Sequence, residues 1–281
     1  MSSESVYFDT SVFNHIQKHW ISSEDRIQLF SAIESGKLSV PLSQLCLEEA
    51  FCTYETDPKV AKEIILHILS LSDWRKLLKH PKDHLVNDIT CYAHAQKNIL
   101  PYENNDGNLQ YLPSLLGPTP HYRDLIKDIK EEKDNFRASI ERAREKVLPI
   151  ASQYKGKTSP SFTIYWDGLS EKFAEDLAER TGLLEECRKR GIKGLLEVRS
   201  VRLHVGASLS YIYSLNHEKT EPHLGDSRDL LHAVSAAAVE TFVTGDATLA
   251  RILNRIPIDG LQVLKIQDFL NKFFGSSHGK R

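Results

Sequence analysis

Two short apolar segments, one near each end of the chain, are closely followed by an aspartate. Val6-Tyr7-Phe8 leads directly into Asp9, and Thr241-Phe242-Val243 is followed after two residues by Asp246. Runs this short, rich in β-branched and aromatic residues, favour buried strands over helices. Helical segments lie between such strands, and this alternation is typical of a parallel sheet. The sequence therefore predicts an α/β fold with acidic residues where its strands end.

Further strands and helices extend this pattern at both ends of the chain. Brief strands are predicted at residues 38–40, where Pro41 ends the strand, and at residues 261–264. Ser22 has capping-box spacing at the start of one helix, and Ser43 can cap another. The order of strand, helix, strand and helix is therefore present twice, once at each end.

The middle of the chain differs from its ends. Helical periodicity is present at residues 59–71, 83–97, 122–148 and 169–180, and little of this region alternates as a strand would. Dense charges of both signs near residues 122–146 are typical of a solvated helix or arm. We therefore expect a core split between residues 1–53 and 205–281, with a mainly helical insertion at residues 54–204.

Composition excludes several classes of protein. The chain has 281 residues, of which 41% are hydrophobic, so it can bury an ordinary core. Its formal net charge of -2 argues against a uniformly basic nucleic-acid binder, although a local basic face remains compatible. The cysteines lack zinc-site spacing, and no apolar run is long enough to cross a bilayer. We expect a soluble, cytoplasmic protein with reduced thiols and no membrane partner.

Carboxylates occur at several of the predicted strand ends. Asp9 and Asp246 follow strands, Asp229 lies in the first turn of a helix, and Glu48 and Glu49 lie in the helix after residues 38–40. Loops at the carboxyl ends of parallel strands converge, so these acids are expected to meet. Carboxylates that are brought together repel one another unless a cation is present, and hard oxygen ligands suit Mg²⁺ or Mn²⁺. Taken singly, Asp9 and Asp246 are better explained as helix caps, and Asp229 and Glu48 as partners of the helix dipole, so the metal-site interpretation depends on the whole set.

Three motifs resemble the acidic motifs of PIN-domain proteins. Residues 6–13, with sequence VYFDTSVF, are similar to the opening strand of that family, and residues 229–233, DLLHA, resemble its third motif. Residues 242–249, FVTGDATL, are similar to the last motif, in which a threonine precedes an aspartate at a strand end. The resemblance covers about the first fifty and the last seventy residues.

The resemblance implies a PIN-like, three-layer α/β/α core and a metal-dependent nuclease that favours single-stranded RNA. Its Mg²⁺ or Mn²⁺ would be held by Asp9, Glu49, Asp229 and Asp246, with Glu48 as the alternative to Glu49. Hydroxyls beside these acids can orient the ligands or a water molecule, and they belong to Thr10, Ser11 and Thr244. His232 has no evident partner in the sequence and is assigned to helix packing.

A basic stretch precedes the third acidic motif and offers contacts for phosphates. Its members are Arg188, Lys189, Arg190, Lys193, Arg199 and Arg202. A solvated helix face balanced by neighbouring glutamates accounts equally well for the same charges.

Two other functions remain open at this point. A catalytically inactive PIN-like scaffold would act through contacts of its helical insertion with partners. A haloacid-dehalogenase-like phosphatase is disfavoured because Ser11 stands where that chemistry needs a second aspartate. Besides a nucleic-acid substrate, an inhibitor protein, as in toxin–antitoxin pairs, and a second copy of the chain are the partners that the resemblance leaves open.

Overall fold

The computed structural model describes residues 3–97, 100–103, 161–218 and 226–275, with single residues and short runs between 124 and 147. Within these residues the chain forms a parallel sheet in the order β2-β1-β5-β6. The strands of this sheet are β1 (Glu4–Phe8), β2 (Leu38–Ser39), β5 (Thr241–Thr244) and β6 (Gln262–Lys265). A second parallel pair consists of β3 (Pro41–Ser43) and β4 (Asp73–Leu78).

Helices connect and cover these strands, as the α/β prediction required. In chain order they are α1 (Thr10–Gln17), α2 (Ser23–Glu34), α3 (Gln44–Cys52), α4 (Pro58–Ser70), α5 (Pro81–Ala93), α6 (Phe162–Arg180), α7 (Leu184–Arg190), α8 (Ile192–Leu195), α9 (Arg199–His217), α10 (Asp226–Ser235), α11 (Ala247–Asn254) and α12 (Ile266–Phe274). Short 3-10 turns follow α3 and α10, at Thr53–Glu55 and Ala236–Ala238. None of the described helices is both long and apolar enough to cross a membrane.

The two central strands, β1 and β5, carry the most buried side chains of the sheet. Tyr7 and Phe242 are adjacent in register, and their rings stack with centroids 5.5 Å apart. The chain leaves β1 toward β2 on one side and leaves β5 toward β6 on the other. Ligand crevices of parallel sheets lie where the strand order reverses in this way. The fold therefore opens a crevice between the carboxyl ends of β1 and β5.

Several element bounds differ from the sequence prediction. Pro41 was predicted only to end the strand at residues 38–40. In the structure it is also the first residue of β3, which pairs with β4. Strand β4 lies within residues 54–204 and was missed, since Asp73–Leu78 does not alternate between polar and apolar residues. Helix α1 was also missed. Only Asp9 separates β1 from Thr10–Gln17, so the sequence was interpreted as a single segment with one strand.

Much of the predicted insertion lies outside the described residues. The described positions within 124–147 are helical, but most of the helix predicted at residues 122–148 is not covered. Helices α4, α5 and α6 agree with the helices predicted for that region to within several residues. All four cysteines are free thiols, and Cys46, Cys91 and Cys187 are buried.

Candidate functional site

A cleft of about 230 Å³ lies at the carboxyl ends of β1 and β5. Its described lining consists of Asp9, Thr10, Ser11, Asn14, Glu49, Thr53, Asp229, His232 and Asp246. The four acids of the predicted set come from α10 and from the segments that follow β1, β3 and β5, and the structure brings them together here. Their roles as metal ligands remain predictions.

Asp9 is held in place through both of its carboxylate oxygens. It is the N-cap of α1, and its Oδ1 accepts from Ser11 Oγ at 2.5 Å and from Val12 N at 3.2 Å. Its Oδ2 accepts from Thr244 Oγ1 at 2.6 Å. Burial raises the pKa of Asp9, although the charge of His232 opposes this rise. Asp9 is therefore both a helix cap and a carboxylate fixed at the cleft.

Ser11 and Thr244 link Asp9 to the loop after β5. Besides donating to Asp9, Ser11 Oγ accepts from Gly245 N at 2.6 Å, and Thr244 Oγ1 accepts from Asp246 N at 2.8 Å. These two hydroxyls therefore hold Asp9 and the loop at Asp246 in place, and their part beside a metal ion stays a prediction. Thr10 lines the cleft beside them.

Asp246 combines a capping role with a place in the cleft. Its Oδ1 accepts from Thr248 N at 2.6 Å and from Leu249 N at 3.0 Å, which caps α11. The residue is exposed, in contrast to Asp9. Capping and metal binding are compatible here, because a carboxylate has further lone pairs for another ligand.

Glu49 belongs to a hydrogen-bonded chain that the sequence did not reveal. Its Oε2 lies 3.1 Å from His232 Nε2, and His232 Nδ1 lies 2.7 Å from the Tyr7 hydroxyl. Burial opposes protonation of His232, but the negative charge of Glu49 and its neighbours outweighs burial and raises the histidine pKa. Burial alone would raise the pKa of Glu49, and His232 lowers it instead. The hydrogen bond and the two opposite pKa shifts favour the charged forms of both groups.

The neighbouring glutamate, Glu48, points to a different partner. Its Oε2 lies 2.8 Å from Arg228 Nη1 and 3.8 Å from His80 Nε2, and both Glu48 and Arg228 are buried. Burial would raise the pKa of Glu48, but His80 and Arg228 lower it. Because this carboxylate is already neutralised and is absent from the cleft lining described above, Glu49 is the cleft acid of the two.

Asp229 carries the strongest sign of crowded negative charge. Burial raises its pKa well above the usual value, and Asp246, Glu49 and Asp9 raise it further, while His232 alone among the main causes lowers it. The cleft therefore contains more carboxylate charge than His232 can neutralise. Such a surplus is relieved by a proton on Asp229 or by a bound cation.

The basic stretch does not line the cleft, and most of it has other contacts. Arg188 pairs with Glu175 and Glu185, and Arg202 pairs with Glu197. Arg190 packs over Tyr92, and Arg199 donates to the Val239 and Gly260 carbonyls. Lys189 and Lys193 are exposed. These contacts favour the solvated and structural interpretation of the stretch over a phosphate-binding one.

His232 and Tyr7 are connected to a cleft acid by hydrogen bonds that were not predicted from the sequence. His232 was assigned to packing, which agrees with its burial but omits its bond to Glu49. The spacing of His232 after Asp229 placed it one helical turn away, and this was the available signal. Tyr7 was treated only as a strand residue, because nothing local shows that its hydroxyl meets a histidine 225 residues away.

The cleft carboxylates are not arranged as a complete set of metal ligands in the structure. Among the described residues, no group of three or more histidine, cysteine, aspartate or glutamate side chains is arranged to hold a metal ion. Of the cleft acids, Asp246 is exposed, Asp229 and Glu49 are half-buried, and Asp9 is buried. Comparison of the chain with family models, with curated proteins and with solved structures finds no match.

Proposed function

We propose that this protein is a metal-dependent nuclease with a PIN-like, three-layer α/β/α core. The observation that carries the proposal is the meeting of Asp9, Glu49, Asp229 and Asp246 in one cleft at the switch point of a parallel sheet. Asp9 and Asp246 are helix caps, but Glu49 and Asp229 lie within their helices, cap neither of them and still line the cleft. Single-stranded RNA is the substrate that the PIN-like motifs favour.

The donor set fits Mg²⁺ or Mn²⁺. Carboxylate oxygens are the ligands that these hard cations prefer, and the cleft has a surplus of them. Asp9, Glu49, Asp229 and Asp246 would hold the ion. When bound, it supplies the Lewis acidity that phosphodiester hydrolysis needs at neutral pH, both for the attacking water and for the leaving oxygen.

The chain's own residues prepare the cleft for this charge. Ser11 and Thr244 fix the orientation of Asp9. His232 holds Glu49 through Nε2, and Tyr7 fixes the histidine ring through Nδ1. Asn14 and Thr53 add neutral polar groups to the lining, so that a phosphate oxygen or a water has hydrogen-bond partners there.

A catalytically inactive scaffold is the second candidate, and one observation favours it. The described acids do not form a ready ligand group. A scaffold would keep the buried polar chain of Tyr7, His232 and Glu49 for stability and would use other surfaces for partners. It has no need to bind a divalent cation.

Cleavage assays on purified protein separate the two candidates. Single-stranded and duplex RNA and DNA are incubated with Mn²⁺, Mg²⁺ or EDTA. We expect cleavage of single-stranded RNA with either metal and none in EDTA, and loss of cleavage in Asp246→Asn, which keeps an oxygen for the α11 cap. Cleavage that persists in EDTA, or its absence with all substrates and both metals, would overturn the nuclease proposal.

A further inference from the structure

An exposed tryptophan lies at the end of the helix that starts in the cleft. Trp20 has 63% of its surface exposed, which is unusual for so large an apolar side chain. It follows α1, whose first residue comes after Asp9. An α-helix rises about 1.5 Å per residue, so the far end of this eight-residue helix is roughly 12 Å from its start.

The backbone fixes Trp20 at that position. Trp20 N donates to His15 O at 2.9 Å, and His19 N donates to Ile16 O at 3.1 Å. His19 has a positive φ of 56°. This is the pattern of a helix end with a left-handed residue after the cap, which holds the next residue back against the helix. Trp20 is therefore presented by a defined turn and not by a loose loop.

His15 connects Trp20 with the cleft. The rings of His15 and Trp20 meet edge to face with centroids 4.7 Å apart. On its other side the His15 ring approaches Gly245 so closely that a β-carbon added there would lie 2.7 Å from Cε1. His15 therefore lies between Trp20 and Gly245, the residue before Asp246.

Two basic side chains lie at this end of α1, one of them over the Trp20 ring. Lys18 Nζ lies 4.9 Å from the centre of the Trp20 ring, and Arg26 Nη1 lies 3.3 Å from His19 Nδ1. Acids also lie near this turn: Glu63 accepts from the neutral Gln17, Asp25 is buried and accepts from Ser22, and Glu24 is exposed. We name Lys18, His19, Trp20 and Arg26 the α1-end patch.

We propose that the α1-end patch binds single-stranded nucleic acid and leads it into the cleft, with a base stacked on Trp20. This inference rests on the proposed nuclease function. A cleft crowded with carboxylates repels phosphates, so most of the attraction for the nucleic-acid backbone must come from cations beside the cleft. An exposed aromatic ring flanked by cations is the usual platform for unpaired bases. The basic stretch near α7 is less suitable, because its arginines already have partners.

The test is a binding titration in EDTA, where no metal-dependent cleavage takes place. The probe is a fluorescein-labelled single-stranded adenosine dodecamer, and its anisotropy gives Kd for each variant. Trp20→Ala should weaken binding by about 10- to 100-fold, because stacking of one base is lost, whereas Trp20→Phe should keep most of the affinity. Lys18→Gln should weaken binding and lower the slope of log K against log salt by about 0.7. Ile164→Ala, at another exposed apolar side chain, is the matched control and should have no effect.

Cleavage kinetics in Mn²⁺ on the same variants separate this inference from the nuclease proposal. Trp20→Ala should raise KM for single-stranded RNA with little change in kcat, because the platform touches substrate away from the reacting phosphate. Binding that is equally tight in Trp20→Ala and wild type, or no binding by wild type, overturns the role of the patch. Trp20-dependent binding without any cleavage supports the patch and overturns only the nuclease function.

Discussion

Replacement of Asp9 by asparagine should abolish cleavage and leave the fold intact. Loss of groups that merely support metal ligands costs about 10- to 100-fold in metal affinity or activity, so loss of a ligand's own charge should cost at least about 100-fold. The amide oxygen can still accept from Val12 N, and the amide group can pair with the Thr244 hydroxyl. Burial raises the pKa of Asp9, so a neutral side chain is tolerated there.

Cleavage rate and melting temperature are measured together on this variant. In EDTA we expect the melting temperature of Asp9→Asn to equal or exceed that of the wild type. Asp83→Asn is the matched control, because Asp83 is an exposed acid in the first turn of α5 and should be silent in both assays. Full activity of Asp9→Asn would remove Asp9 from the reaction.

Of the substitutions proposed for this protein, replacement of Arg228 by methionine should lower the free energy of unfolding the most. Arg228 is 3% exposed and its ion pair with Glu48 spans 2.8 Å. Removal of one partner leaves the other charge buried and uncompensated, which typically costs about 3–5 kcal/mol. We expect a loss of this size in the free energy of unfolding, measured by urea denaturation at neutral pH.

Two controls separate the ion pair from other effects of the substitution. The double variant Arg228→Met with Glu48→Gln removes both charges and should recover a large part of the lost stability. Arg188→Met breaks an exposed pair with Glu175 and should leave the unfolding curve nearly unchanged. A stability loss that is equal in the single and the double variants would show that the pair itself contributes little.

The sheet was predictable where strand signals were local and strong. β1 and β5 consist of apolar β-formers that end near an aspartate, and both were placed within one or two residues. β4 was not predictable, because Trp74, Arg75 and Lys76 carry no alternation and the strand depends on pairing with β3. Parallel α/β architecture followed from element order, but neither the strand order nor the separate β3–β4 pair can be read from the sequence.

The acids of the site were predictable because they lie at strand ends and helix starts. Their convergence follows from the parallel sheet, because the loops at the carboxyl ends of parallel strands meet at one edge. The partners could not be predicted: Glu49 with His232 and Glu48 with Arg228 join residues about 180 positions apart. The adjacent glutamates reach different residues of α10, Arg228 and His232, because successive helix residues are about 100° apart around the axis. Only the packing of α3 against α10 decides which of them enters the cleft.

The most direct measurement of the central claim is a calorimetric titration of the purified, EDTA-treated and desalted protein with Mn²⁺. The account predicts saturable binding to wild type, accompanied by release of protons as Asp229 loses its proton, since burial and neighbouring acids raise its pKa. Binding should be lost in the double variant Asp9→Asn with Asp229→Asn and retained in Asp83→Asn. The absence of Mn²⁺ binding to wild type, or equal binding to the double variant, would contradict a metal site in this cleft.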